Sequence, residues 1–265
     1  YPPVPVGTLA HVGPLTRTVS DSALMLTVIA LPDPEQRDWF AMPHQPRDYR
    51  VGLESGVHGL RVAYSRTLGY AEVDAEVAEL VDKAVRVFES LGAVIEDVDP
   101  DFDTPEEMFR VHFFGRLGAV GEGLTAEQRA LLDAGLREVM EIGKTYTPRD
   151  WFVAEAEREA LGRYMNLFMT KYDLLMTPQL PLVAFGVDAE VPAGRGMSRW
   201  LDWTPFTYPF NLTQQPAASV PCGVTSEGLP VALQIVAAKY RDDLVLSASR
   251  AYESVHPFLM PTLPW

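Results

Sequence analysis

The side chains that could do chemistry are few and scattered. Cys222 is the only cysteine; it ends an apolar run beside Gly223, with no histidine near it in sequence. A reactive thiol needs an electropositive neighbour that favours the thiolate, so a buried structural thiol is the better reading. His11, His44, His58, His112 and His256 lie far apart without metal-ligand spacing, and no HExxH pattern occurs. No metal and no cofactor is therefore expected. Lys83, Lys144, Lys171 and Lys239 fall on predicted helices or at element ends and match no catalytic motif. The densest feature is the stretch Arg199 to Asn211, which carries Trp200, Trp203, Phe206, Tyr208 and Phe210. Such a density suits a mostly apolar pocket with a few polar handles, although packing of a loop onto a sheet accounts for the same residues.

The elements that must position these residues read as α/β. Pro2, Pro3, Pro5 and Pro14 make residues 1 to 16 an extended or turn segment. Thr18 followed by Asp21 is a capping box, and Ala23, Leu24, Leu26, Thr27 and Ile29 suit a buried helix that ends before Pro32. Residues 32 to 50 read as a surface loop. A strand at Leu60 to Tyr64, an amphipathic helix at Asp74 to Leu91 stopped by Gly92, and a strand at Ala93 to Val98 form a crossover unit, which implies parallel pairing. Residues 104 to 172 read as three helices, with Thr104, Thr125 and Thr147 each at an N-cap, where such a residue stabilises by about 1 kcal/mol. Strands return at Asp173 to Met176, Ala217 to Val220 and Val231 to Val236, two of them apolar enough to be buried on both faces. Between them, 186 to 215 reads as a long loop, a kind of segment that often carries function. Asp242 and Asp243 suit the first turn of a last helix, Asp242 to Ser254, and a Pro-rich tail, HPFLMPTLPW, follows.

Composition narrows the partners. A chain of 265 residues, 47% apolar, can bury a sizeable core. A net charge of -14 disfavours nucleic acid and anionic membrane, since neutralising phosphates takes clustered Lys and Arg. A lone cysteine fits a reducing compartment, and neither a secretion signal nor an 18-residue apolar run is present. Cytoplasm is the expected location. The chain opens at Tyr1 in a proline run, from which an upstream piece is expected.

Four segments in this order resemble the downstream half of the amidase signature family: HVGPLTRTVSDSALML (11 to 26), YDLLMTPQLPL (172 to 182), TPFTYPFNLTQQPAASVPCG (204 to 223) and GLPVALQIVAAKYRDDLVLSASRAYE (228 to 253). The resemblance implies a mixed central β-sheet sandwiched by helices, with residues 1 to 265 as the C-terminal portion of one domain carrying a mostly helical insertion at about 104 to 172. It implies hydrolysis of a carboxylic amide through an acyl-enzyme, by a serine, a cis-configured serine and a lysine. That lysine and a Gly-Gly-Ser run precede the segment resembling HVGPLTRTV in the family, and this chain has no Gly-Gly pair. No catalytic residue is carried over, so this chain alone is expected to be inert.

What the resemblance assigns here is an acyl pocket. Family loops that flank the reacting serine match Thr177 to Pro181 and Arg199 to Asn211, which makes Thr177, Gln179, Trp203, Thr204 and Phe206 the expected substrate-binding residues. Members that hydrolyse glutamine for tRNA amidation carry an aspartate where Thr204 stands, so a free amino acid is a poor substrate unless Asp202 replaces that acid. Gln214 stands where many members have Gly, which puts the local turn in question. The implied partners are a small-molecule amide and the missing N-terminal part of the same protein; a homodimer stays open. A noncatalytic binding or assembly module is the alternative. Sheet strands stripped of their neighbours would leave large apolar side chains wet at about 1.5 to 3 kcal/mol each, which favours the enzyme.

Overall fold

A computed structural model describes residues 6–31 and 47–258. The expectations for Pro2, Pro3 and Pro5, for His44, for most of the 32 to 50 loop and for the end of the tail lie outside the described residues. Thr18 caps α1 (Val19–Ile29), its hydroxyl accepting from the Asp21 amide at 3.1 Å. The helix is where expected, but it is not a buried one. Only Val19 and Ala23 are fully covered, and Leu24, Met25, Val28 and Ile29 are exposed.

The crossover unit follows as predicted. β1 (Arg61–Tyr64) leads to α2 (Ala75–Ser90), which lays Val77, Val81, Ala84, Val85 and Phe88 on one buried face. Gly92 then turns the chain at φ +91°, a conformation that favours a residue without Cβ, and β2 (Val94–Asp97) pairs parallel with β1.

The helical stretch holds four helices among the described residues, not three: α3 (Glu106–Glu122), α4 (Ala126–Ala130), α5 (Ala134–Gly143) and α6 (Pro148–Phe168). Thr125 and Thr147 both make reciprocal capping boxes, and α6 takes Pro148 in its first turn. Thr104 does not cap. α3 starts one residue later than that cap requires, behind Pro105, and the Thr104 hydroxyl lies 3.1 Å from the Tyr208 hydroxyl. The extra helix α5 is capped by Asp133, which accepts from the Leu136 amide at 3.1 Å.

The sheet is completed by β3 (Leu174–Pro178), β4 (Ala217–Val224) and β5 (Pro230–Ala237). Between β3 and β4 the expected loop contains a 3-10 turn at Trp200–Trp203 and a short helix, α7 (Tyr208–Thr213), and the chain closes with α8 (Asp242–Val255). Strand order is β2-β1-β3-β5-β4; β3 runs parallel to β1 and antiparallel to β5, so the sheet is mixed. β4 is longer than predicted and kinks at a bulge between Pro221 and Gly223. One face packs under α2 and α8, where Phe88 stacks on Tyr252 at 5.5 Å. The other packs under α3, α6 and α7 around Phe109, Phe114, Met165, Phe206 and Phe210. Among the described residues no helix is long and apolar enough to cross a membrane.

Candidate functional site

The two segments expected to wall the pocket both belong to the stretch from the end of β3 to α7 and are tied together by a side chain from β5. Gln234 sits in register with Thr177 on β3 and with Ser219 on β4. Its Nε2 donates to Thr177 Oγ1 at 3.0 Å and to the Phe206 carbonyl at 2.9 Å. All three residues are buried, in an otherwise apolar stretch of β5 where an amide left without partners would cost about 1–3 kcal/mol. The signal in sequence is the polar residue in the run Val231 to Ala237, although its partners belong to other parts of the chain.

The five expected pocket residues divide. Thr177, Thr204 and Phe206 are buried, and Phe206 is among the most enclosed side chains of the protein. They shape backbone rather than offer a surface. The Thr204 hydroxyl donates to the Leu201 carbonyl at 3.2 Å, and its own carbonyl accepts from Thr207 Oγ1 at 2.8 Å. Gln179 and Trp203 are half-buried and touch neither Gln234 nor each other through hydrogen bonds. The Gln179 amide N-H donates to the Ala232 carbonyl, while Trp203 Nε1 donates to the Glu190 carbonyl and its ring meets Phe185 edge-on at 5.7 Å.

Asp202 is fully engaged. Its Oδ2 accepts from the Ser198 and Arg199 amides at 2.6 and 3.1 Å, and Oδ1 accepts from Arg110 at 3.3 Å. It holds the 3-10 turn against α3 instead of projecting as an acidic handle. Arg199 extends the anchoring to Glu138 of α5 and to Glu190. The Tyr70 hydroxyl donates to the Pro205 carbonyl at 3.0 Å, and the Asp74 amide at the head of α2 donates to the Pro181 carbonyl at 2.8 Å.

Cys222 is half-buried against the α2 and α8 side, and burial pushes its thiol up to about 12, so it stays protonated at neutral pH. His112 is enclosed between α3 and α6 with Trp151 edge-on to its ring at 4.7 Å, and burial holds it below the usual histidine range. Among the described residues no three His, Cys, Asp or Glu side chains are grouped to hold a metal ion. A polar cleft of 420 Å³ opens beside the end of α7, lined by Thr8, Arg158, Leu212, Gln214 and Lys239 among others; none of the five expected residues lines it.

This arrangement of loops on a mixed sheet has relatives. The family model described as Amidase matches residues 6–246. The chain belongs to the amidase signature family. It is 37% identical over 255 residues to an acylamidase of Rhodococcus erythropolis, an alignment spanning 94% of this chain and 53% of that one. It is 32% identical over 251 residues to an amidase of Pseudomonas putida, over 92% of this chain and 53% of that enzyme. Among solved structures, a bacterial aryl acylamidase of the amidase signature family superposes with a TM-score of 0.81 at 27% identity, over 92% of this chain and 53% of its own. This amidase signature chain thus spans about half the length of the curated relatives it matches.

Proposed function

We propose that this chain is the downstream portion of a single amidase signature domain, with residues 104 to 172 as its helical insertion, and that the complete protein hydrolyses a carboxylic amide to a carboxylate plus ammonia or an amine. The observation that carries the reading is a family match running over residues 6–246 of a chain that spans only 53% of the Rhodococcus erythropolis acylamidase. Serine, middle serine and lysine are supplied by upstream polypeptide. The serine oxygen attacks the amide carbon as its proton passes through the middle serine to a neutral lysine, while backbone N-H groups hold the oxyanion. Collapse releases the amine with that proton, and water then cleaves the acyl-enzyme by the same route. The contribution of this chain is the sheet and the acyl-pocket walls at Thr177 to Pro181 and Arg199 to Asn211.

The acyl group is neutral, aryl or aliphatic. Thr204 brings no carboxylate to this wall, its buried hydroxyl being bonded to the Leu201 carbonyl, and the Asp202 carboxylate is spent on two backbone amides and Arg110. The likeness to a bacterial aryl acylamidase points the same way. A cytoplasmic setting suits the free thiol of Cys222. The test is amine or ammonia release by the full-length gene product from anilides, aliphatic amides and glutamine. Turnover of the neutral amides with glutamine left intact is expected; glutamine as the preferred substrate would overturn the acyl assignment. The 265-residue chain should release nothing, since loss of a nucleophile costs on the order of 10⁶ in kcat.

A further inference from the structure

We infer that Gln234 is the positioning residue that sets the depth of the acyl pocket, coupling its two walls; the inference rests on the acyl-pocket reading above. Among the described residues Gln234 is the only side chain that hydrogen-bonds both loops, reaching Thr177 Oγ1 at 3.0 Å and the Phe206 carbonyl at 2.9 Å. Both N-H bonds of its amide are used. Thr177 is itself committed, its hydroxyl donating to the Pro178 carbonyl at 2.8 Å, so the first wall is fixed from β5 through the hydroxyl to the loop backbone. On the second wall the same amide holds the Phe206 carbonyl, and the preceding carbonyl, that of Pro205, accepts from the Tyr70 hydroxyl. The aromatic segment is therefore suspended between two donors, one from β5 and one from the β1 to α2 connection. Releasing the β5 donor leaves a buried carbonyl unpaired, and the segment must shift to find another partner.

Such a shift alters the distance between the walls without touching the reacting atoms. A positioning role of this kind acts on how an acyl group fits, and a misplacement of about an ångström can cost up to about a hundredfold in rate. Small acyl groups, which do not reach both walls, should notice little. Bulky ones should.

The experiment uses the full-length protein and an anilide series running from acetyl to benzoyl with a constant leaving group. Gln234→Met keeps the volume and removes both donors. KM for the benzoyl substrate is expected to rise about tenfold, which is 1.4 kcal/mol, with kcat and the acetyl parameters within about threefold of wild type. Thr177→Val, which removes only the first acceptor, is expected to give part of the same KM effect, and the double variant no more than Gln234→Met alone. A uniform fall in kcat across the series, or KM values that do not depend on acyl size, would overturn the inference. Should Gln234→Met fail to fold, Thr177→Val supplies the deciding comparison: a size-dependent KM upholds the coupling and its absence ends it. Wild-type protein that hydrolyses none of the series would instead overturn the pocket reading itself.

Discussion

Gln214 ends α7 in the left-handed conformation, at φ +59° and ψ +38°, and its amide N-H closes the helix onto the Phe210 carbonyl. For a residue with a Cβ that geometry costs about 1–2 kcal/mol, whereas glycine adopts it freely. Gln214→Gly should therefore stabilise the complete protein by about 0.5–1 kcal/mol after the added chain entropy of glycine, raising Tm by about a degree in a calorimetric scan. An unchanged or lowered Tm would count against strain at this position. The aromatic segment illustrates how residue roles divide: its composition announces a buried apolar cluster, and Phe206 and Phe210 are that. Which of its members face a ligand depends on where the backbone is held, and the holder, Gln234, lies 28 residues away in sequence from its carbonyl partner. Local reading has no access to that distance.

Helix starts are legible in sequence because a cap is a local event within four residues, as at Thr125 and Thr147. Thr104 breaks the rule because a tertiary partner, the Tyr208 hydroxyl, takes up its side chain. Helix crossings are not legible at all. α3 and α5 meet so closely that a Cβ on Gly143 would overlap the Phe114 carbonyl oxygen, and one on Gly118 would stand 2.7 Å from the Gly143 carbonyl carbon. Both neighbours are backbone and cannot rotate away. Gly143→Ala should thus force the two helices apart and destabilise by at least the 1–3 kcal/mol typical of overpacking, whereas helix propensity alone would favour alanine by about 1 kcal/mol. Chemical denaturation separates the two, because only the close crossing makes the midpoint fall. The same logic explains α1: its apolar residues and its cap specify a helix, but nothing local says which side of the molecule that helix faces.

At the scale of the molecule, the helices on both faces and the parallel pairing of β1 with β2 follow from apolar runs and crossover lengths. The edges do not, because alternation within a strand says nothing about its neighbours. β4 is an edge strand of the described sheet, with Ala217, Ser219, Pro221 and Val224 exposed, and α1 turns Val28 to solvent at 62% exposure. If upstream polypeptide covers these surfaces, the purified 265-residue chain should bind an apolar fluorescent dye strongly and the full-length protein weakly; equal binding would contradict the coverage. β3 has a further consequence. Asp173 and Arg61 exchange hydrogen bonds at 2.8 Å across a separation of 112 residues, fastening β3 beside β1. Bringing those ends together costs about 4 kcal/mol of chain entropy before β3 can pair with β1, and everything from α2 to α6 lies inside the loop so closed. Refolding should consequently wait on a single late encounter, with helical signal recovered long before the sheet, in the slow regime of proteins dominated by distant pairings.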